Sequence, residues 1–149
     1  ARFTALESLD LVVHSSGAYI ADSLCTSYRA AAGAQAARIE MVFLDPFQLH
    51  GFVDFRHGKR NHGRCADFAL AVINTDDPAP ATNTPLDHAW NIDVTAHPGR
   101  AAMTRNGHYW PVQYYHDFLP GLERELFEPD FSGPVRGEVV RDPPGVNRP

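Results

Sequence analysis

The sequence predicts an α/β domain in which a mainly parallel sheet is flanked by helices. Two observations carry that prediction. The chain holds short, almost wholly apolar runs at residues 9–14, 39–44 and 67–73, each ended by turn-forming residues, and such runs suit parallel strands covered on both faces. Between the first two runs, apolar residues recur at helical spacing. The opening third therefore reads strand, turn, helix, strand, a βαβ unit. Composition agrees: of 149 residues, 44% are hydrophobic and 21% charged, the profile of one globular domain.

The first run, Leu9-Asp10-Leu11-Val12-Val13-His14, stops at Ser15-Ser16-Gly17. The helix starts at Ala18 and repeats Ile20, Leu24, Tyr28 and Ala31, with Gly33 as its stop. Residues 39–44 are closed by Asp45-Pro46. Residues 46–64 have no strong period and hold Arg56, Lys59, Arg60 and Arg64 with His50, His57 and His62, which predicts a surface loop. Residues 67–73 end in Asn74-Thr75-Asp76-Asp77-Pro78, and a loop rich in Pro, Asn and Thr runs on to Pro85. Residues 89–95 read as a weaker fourth strand. The aromatic stretch 110–118 continues at helical spacing through Leu119, Leu122 and Leu126, with a kink or restart at Pro120. From Glu128 onward, five prolines in 22 residues predict an extended tail on the surface, so the expected units are 1–127 and 128–149.

Several function classes are disfavoured. A net charge of −5 argues against nucleic acid as a partner. No apolar run reaches the roughly 18–20 residues of a membrane span. Cys25 and Cys65 permit one bridge and do not fix the compartment. His57, His62 and Cys65 fit no standard zinc spacing, and neither a metal nor another cofactor is expected.

The first turn carries the chemistry. Val13-His14-Ser15-Ser16-Gly17 has the x-H-S-x-G form of a nucleophile elbow, in which a strand turns at once into a helix and leaves a serine oxygen exposed at the tip. Gly17 supplies the small residue needed on the helix side, whereas Val13 stands where a glycine is usual.

Here the chain resembles the α/β-hydrolase fold, and within it the lipases of the pancreatic type. Leu11-Val12-Val13-His14-Ser15-Ser16-Gly17-Ala18 is similar to that family's strand and elbow. Phe43-Leu44-Asp45-Pro46 is similar to its Leu-Asp-Pro segment. Ala66-Asp67-Phe68 through Ile73-Asn74-Thr75-Asp76 is similar to its later strand, and Gly107-His108-Tyr109 through Tyr114-Tyr115 to its His…Tyr-Tyr segment. The resemblance covers residues 9–127. It implies Ser15 as nucleophile, Asp45 as the orienting acid and His108 as the base, in the chain order of this fold. Many members place the acid one strand later, where Asp76 and Asp77 stand. The Ser16 N–H would be one oxyanion donor, at a helix N-terminus. The implied activity is hydrolysis of a small-molecule ester or lipid through an acyl-enzyme, and the implied location is secreted or extracytoplasmic.

The elbow of that family lies mid-fold, so this chain would supply only the C-terminal part of the sheet. The start at Ala1-Arg2-Phe3-Thr4 has neither an initiator Met nor a signal pattern. A second polypeptide carrying the N-terminal half is the expected partner. Two rival readings belong to other classes. Gly63-Arg64-Cys65-Ala66 with Asp87-His88-Ala89-Trp90 would suit a thiol transferase or protease with Cys65 as nucleophile and His88 as base. A hydrolase-like fold used only for binding is the other.

Overall fold

The structure is a computed structural model that describes residues 6–103, 107–119 and 135–141. It is an α/β fold on one five-stranded parallel sheet. The strands are β1 (Ser8–His14), β2 (Arg38–Leu44), β3 (Phe68–Ile73), β4 (Trp90–Asp93) and β5 (Val139–Arg141). They lie side by side in chain order, every pair parallel. Helix α1 (Gly17–Ala32) joins β1 to β2. A short helix α2 (His57–Asn61) lies inside the predicted loop, and α3 (Trp110–Phe118) follows β4.

The two-residue period of the strands divides the core. Ile39, Met41 and Phe43 of β2, with Ala69, Ala71 and Ile73 of β3, face α1. Val42 and Leu44, with Phe68, Leu70 and Val72, face Trp110 and Tyr114 of α3. All six residues of β3 are buried, which is why this strand reads as an unbroken apolar run.

Two findings differ from the sequence reading. The face of α1 against the sheet is the row of small residues Ala18, Ala21 and Cys25, while Ile20 and Leu24 are 72% and 45% exposed. Short side chains let the helix lie close to the sheet, and the Cys25–Cys65 disulfide, with Cα atoms 6.3 Å apart, fixes it there. The second concerns β1. Among the described residues it is an edge strand, alternately exposed along its length, with Val12 half exposed on the sheet face that carries α3. At the opposite edge, the described part of the proline-rich tail adds β5 to β4. The expected helical continuation through Leu122 and Leu126 lies outside the described residues, as do residues 142–149 of the tail.

Candidate active site

Strand β1 ends at His14, and the chain turns into α1 within two residues. Ser15 is the pivot, with φ at +54°. A side chain in the left-handed region costs about 1–3 kcal/mol and persists only where its surroundings impose it. Here the Ser15 N–H donates to Leu44 O at 3.1 Å, carrying the β1–β2 pairing one residue further. Ser15 O accepts from Ala18 N–H at 3.2 Å and Phe47 N–H at 3.0 Å. Val13 causes no clash: a Cβ on Gly17 would stand 3.4 Å from Val13 Cβ, an ordinary contact. Ser16 is the helical N-cap, exposed. No acceptor among the described residues takes its N–H.

His108 arrives at this end of the sheet on a short turn, Gly107–Tyr109, just ahead of α3. Two strand ends hold the turn. His14 Nε2 donates to His108 O at 3.0 Å, and Asn74 Nδ2 donates to Gly107 O at 3.0 Å. The His14 and His108 rings are 4.5 Å apart, so His108 is packed against the residue that precedes Ser15. Burial lowers the pKa of His14, which suits a neutral ring donating one N–H.

Two carboxyl groups meet His108 Nδ1: Asp77 Oδ2 at 2.6 Å and Asp45 Oδ2 at 3.4 Å. Both carboxyl side chains are fully buried, whereas the His108 side chain is 14% exposed. Asp45 closes β2 with φ at +43°, and its Oδ1 accepts the Asn74 N–H at 2.9 Å. Burial, with the neighbouring Asp77 adding to it, pushes its pKa up to about 9 against the pull of that N–H. Asp45 is thus neutral at pH 7, and its buried Oδ2 has no hydrogen-bond partner among the described residues. Asp77 is the charged member. Burial works against its charge, but the Ala79 N–H, the Thr82 hydroxyl at 2.7 Å and His108 bring its pKa below the ordinary value. Two buried carboxyls side by side split in this way because only one of them can ionise cheaply. Asp76, the other residue of the later pair, turns away and is held by the Arg100 guanidinium.

Asp45, Asp77 and His108 also place one ligand atom each within 4.8 Å of one another, near enough to consider a cation. The 2.6 Å separation of His108 and Asp77 is that of a hydrogen bond. Two ligands on one tetrahedral zinc with bonds of about 2.0–2.1 Å would stand about 3.3 Å apart.

The rival constellation is not assembled. Cys65 is bonded to Cys25 and has no thiol to offer. His62, considered above as a metal ligand, is buried between the Asp22 carboxylate and Phe47 O, the latter at 2.9 Å from Nε2. This His62–Asp22 pair, 40 residues apart, carried no signal in the sequence. It fastens the segment after β2 onto α1, and Phe47 of that segment is what braces Ser15. A cleft of about 700 Å³ lies along α1, lined by Tyr19, Asp22, His50 and His57 among others, and includes neither Ser15 nor His108.

Comparison with protein families, with curated proteins and with solved structures gave no match. What the site does is therefore argued from its own geometry.

Proposed function

We propose that the protein is a serine hydrolase of carboxylic esters, with Ser15 as nucleophile, His108 as base and Asp77 as the acid that orients it. The observation that carries this reading is the convergence at one end of the sheet of a strained serine at a strand-to-helix turn and a histidine paired with a buried, ionised aspartate. A serine hydroxyl becomes nucleophilic when a histidine takes its proton, and the histidine needs a carboxylate on Nδ1 to hold the tautomer and stabilise the imidazolium. Asp77 fits that role better than Asp45 on two counts: it is closer to Nδ1, and it is the carboxyl that keeps its charge. The Ser16 N–H at the start of α1 is one donor for the developing oxyanion. The substrate is a small ester or a lipid ester, attacked at its carbonyl carbon by Ser15 Oγ. The alcohol leaves with the proton held by His108, and water then releases the acid.

We propose further that a second polypeptide completes the sheet beside β1. The open edge of that strand, half-exposed Val12 and the outward Ile20 and Leu24 support this, since soluble proteins avoid bare apolar edges. A disulfide between Cys25 and Cys65 supports a secreted or extracytoplasmic location. The test is hydrolysis of p-nitrophenyl esters of short and long acyl chains by the isolated protein, together with any chain that co-purifies. Turnover that disappears in Ser15→Ala is expected. Equal turnover in Ser15→Ala removes the nucleophile assignment, and no turnover on any ester favours a binding protein.

A further inference from the structure

The segment after β2 exposes three large apolar side chains: Phe52 is 96% exposed, Val53 84% and Phe55 56%. They stand on a built turn. His50 and Asp54 exchange backbone hydrogen bonds at 3.0 and 3.4 Å, and Gly51 at φ +62° lets the chain reverse between them. The base of the turn is tied twice. The Arg60 guanidinium donates to both Asp54 carboxylate oxygens at 2.8 and 2.7 Å, and Gly58 N–H donates to Gln48 O at 2.9 Å. The aromatic tip is therefore held in place before anything meets it.

Charge sets the surroundings of this tip apart from the rest of the chain. Residues 50–64 contain four cations, Arg56, Lys59, Arg60 and Arg64, and one carboxylate, Asp54, a net +3 in a chain of net −5. Arg60 is engaged by Asp54 and Lys59 by Asp87. Arg56, next to Phe55, is exposed, and so is Arg64, which shares the cleft of His50 and His57 at the foot of the turn. Neither has a carboxylate partner among the described residues.

We infer that this turn docks the protein on an anionic lipid surface, with Phe52 and Val53 entering the apolar layer and Arg56 and Arg64 meeting the headgroups. The inference needs neither Ser15 nor His108 and is independent of the proposed reaction. Size argues for lipid over a protein partner. Three side chains, each burying at most about 150–250 Å², fall short of the roughly 800 Å² per partner of a stable protein interface. The cleft beside the turn lies at its foot, lined by His50, His57 and Arg64 among others and by none of the three tip side chains, so the tip itself offers a partner no concave surface to match. A bilayer requires no such match and rewards apolar insertion combined with basic flanks.

The experiment is co-sedimentation of the protein with phosphatidylcholine vesicles that contain or lack phosphatidylserine. Binding to the anionic vesicles is expected, weaker binding to the neutral ones, and weakening of the former by salt. Phe52→Ser with Val53→Ser lowers the affinity about tenfold or more. Arg56→Gln with Arg64→Gln brings anionic binding down to the neutral level. All four side chains are exposed, so unchanged unfolding midpoints are expected and verify that the variants are folded. As a second readout, Phe52→Trp emission shifts to the blue on addition of anionic vesicles. Failure of the wild-type protein to sediment, sedimentation unaffected by the Phe52/Val53 pair, or unshifted Trp emission overturns the inference. So does self-association without vesicles that the same pair abolishes, which would assign the tip to a second copy of the chain.

Discussion

The molecule holds two histidine–aspartate pairs in opposite surroundings. His62 is fully buried, with one ring nitrogen on Asp22 and the other on Phe47 O, and its ring lies between the edge of Tyr19 and the face of Phe43. His108 reaches the surface, pairs with an ionised Asp77, and is packed on His14 one residue before a strained serine. The chemical groups are the same. Burial and the commitment of both ring nitrogens make the first pair a latch. Surface access beside Ser15, with a charged carboxylate behind the ring, gives the second the means to move a proton.

The sharpest way to break this comparison is to delete both histidines in turn. His108→Ala is expected to lower kcat by roughly 10⁵–10⁶-fold with the fold intact, the scale seen when a triad base is removed. His62→Ala is expected to act on stability instead. Each buried polar group left without its partner costs about 1–3 kcal/mol, so urea unfolding should show the loss while kcat per folded molecule stays within a fewfold. A His62 variant that is stable but inactive would erase the distinction.

The two carboxyls at His108 sharpen it further. Asp77→Asn is expected to lower kcat by about 10⁴-fold, because an amide holds the wrong tautomer. Asp45→Asn is expected to stay within about tenfold, since a neutral amide keeps the acceptor for Asn74 and adds no charge beside Asp77. If the two variants exchange these effects, the acid is Asp45, the residue the lipase resemblance points to.

The most gradual effect is on stability against pH. Asp45 has a pKa of about 9 in the folded protein, raised from 3.8. Its protonated form is the one the fold favours, so its contribution is greatest below pH 4 and is lost as pH rises toward 9. The slope is at most about 1.4 kcal/mol per pH unit. Asp45→Asn has no proton to lose there. Its stability relative to the wild type should rise between pH 5 and 8 in urea titrations, and a difference independent of pH would contradict the neutral assignment.

How much of this was legible in the sequence follows from range. Strand β3 is apolar and buried along its whole length and β2 from Met41 to Leu44, so local composition revealed them. The elbow was legible because strand, serine, glycine and helix are contiguous. The facing side of α1 was misread because hydrophobicity ranks Ile20 and Leu24 above Ala18, Ala21 and Cys25, while close packing against a sheet favours the small residues. Strand β5 is three residues long in a proline-rich tail and is too short for a period. Asp45 and Asp77 both follow strands, and only the folding of the loop after β3 brings the second nearer to His108. The His62–Asp22 pair depends wholly on tertiary structure.

The most direct measurement of the central claim is labelling with a fluorophosphonate, followed by mass-spectrometric identification of the modified residue. It should be done on the protein as isolated, with any chain that co-purifies. The account predicts a single adduct on Ser15 that is lost in His108→Ala, strongly slowed in Asp77→Asn, and retained in folded His62→Ala and in Asp45→Asn. An absence of labelling, an adduct on another residue, or Ser15 labelling indifferent to His108 would contradict it.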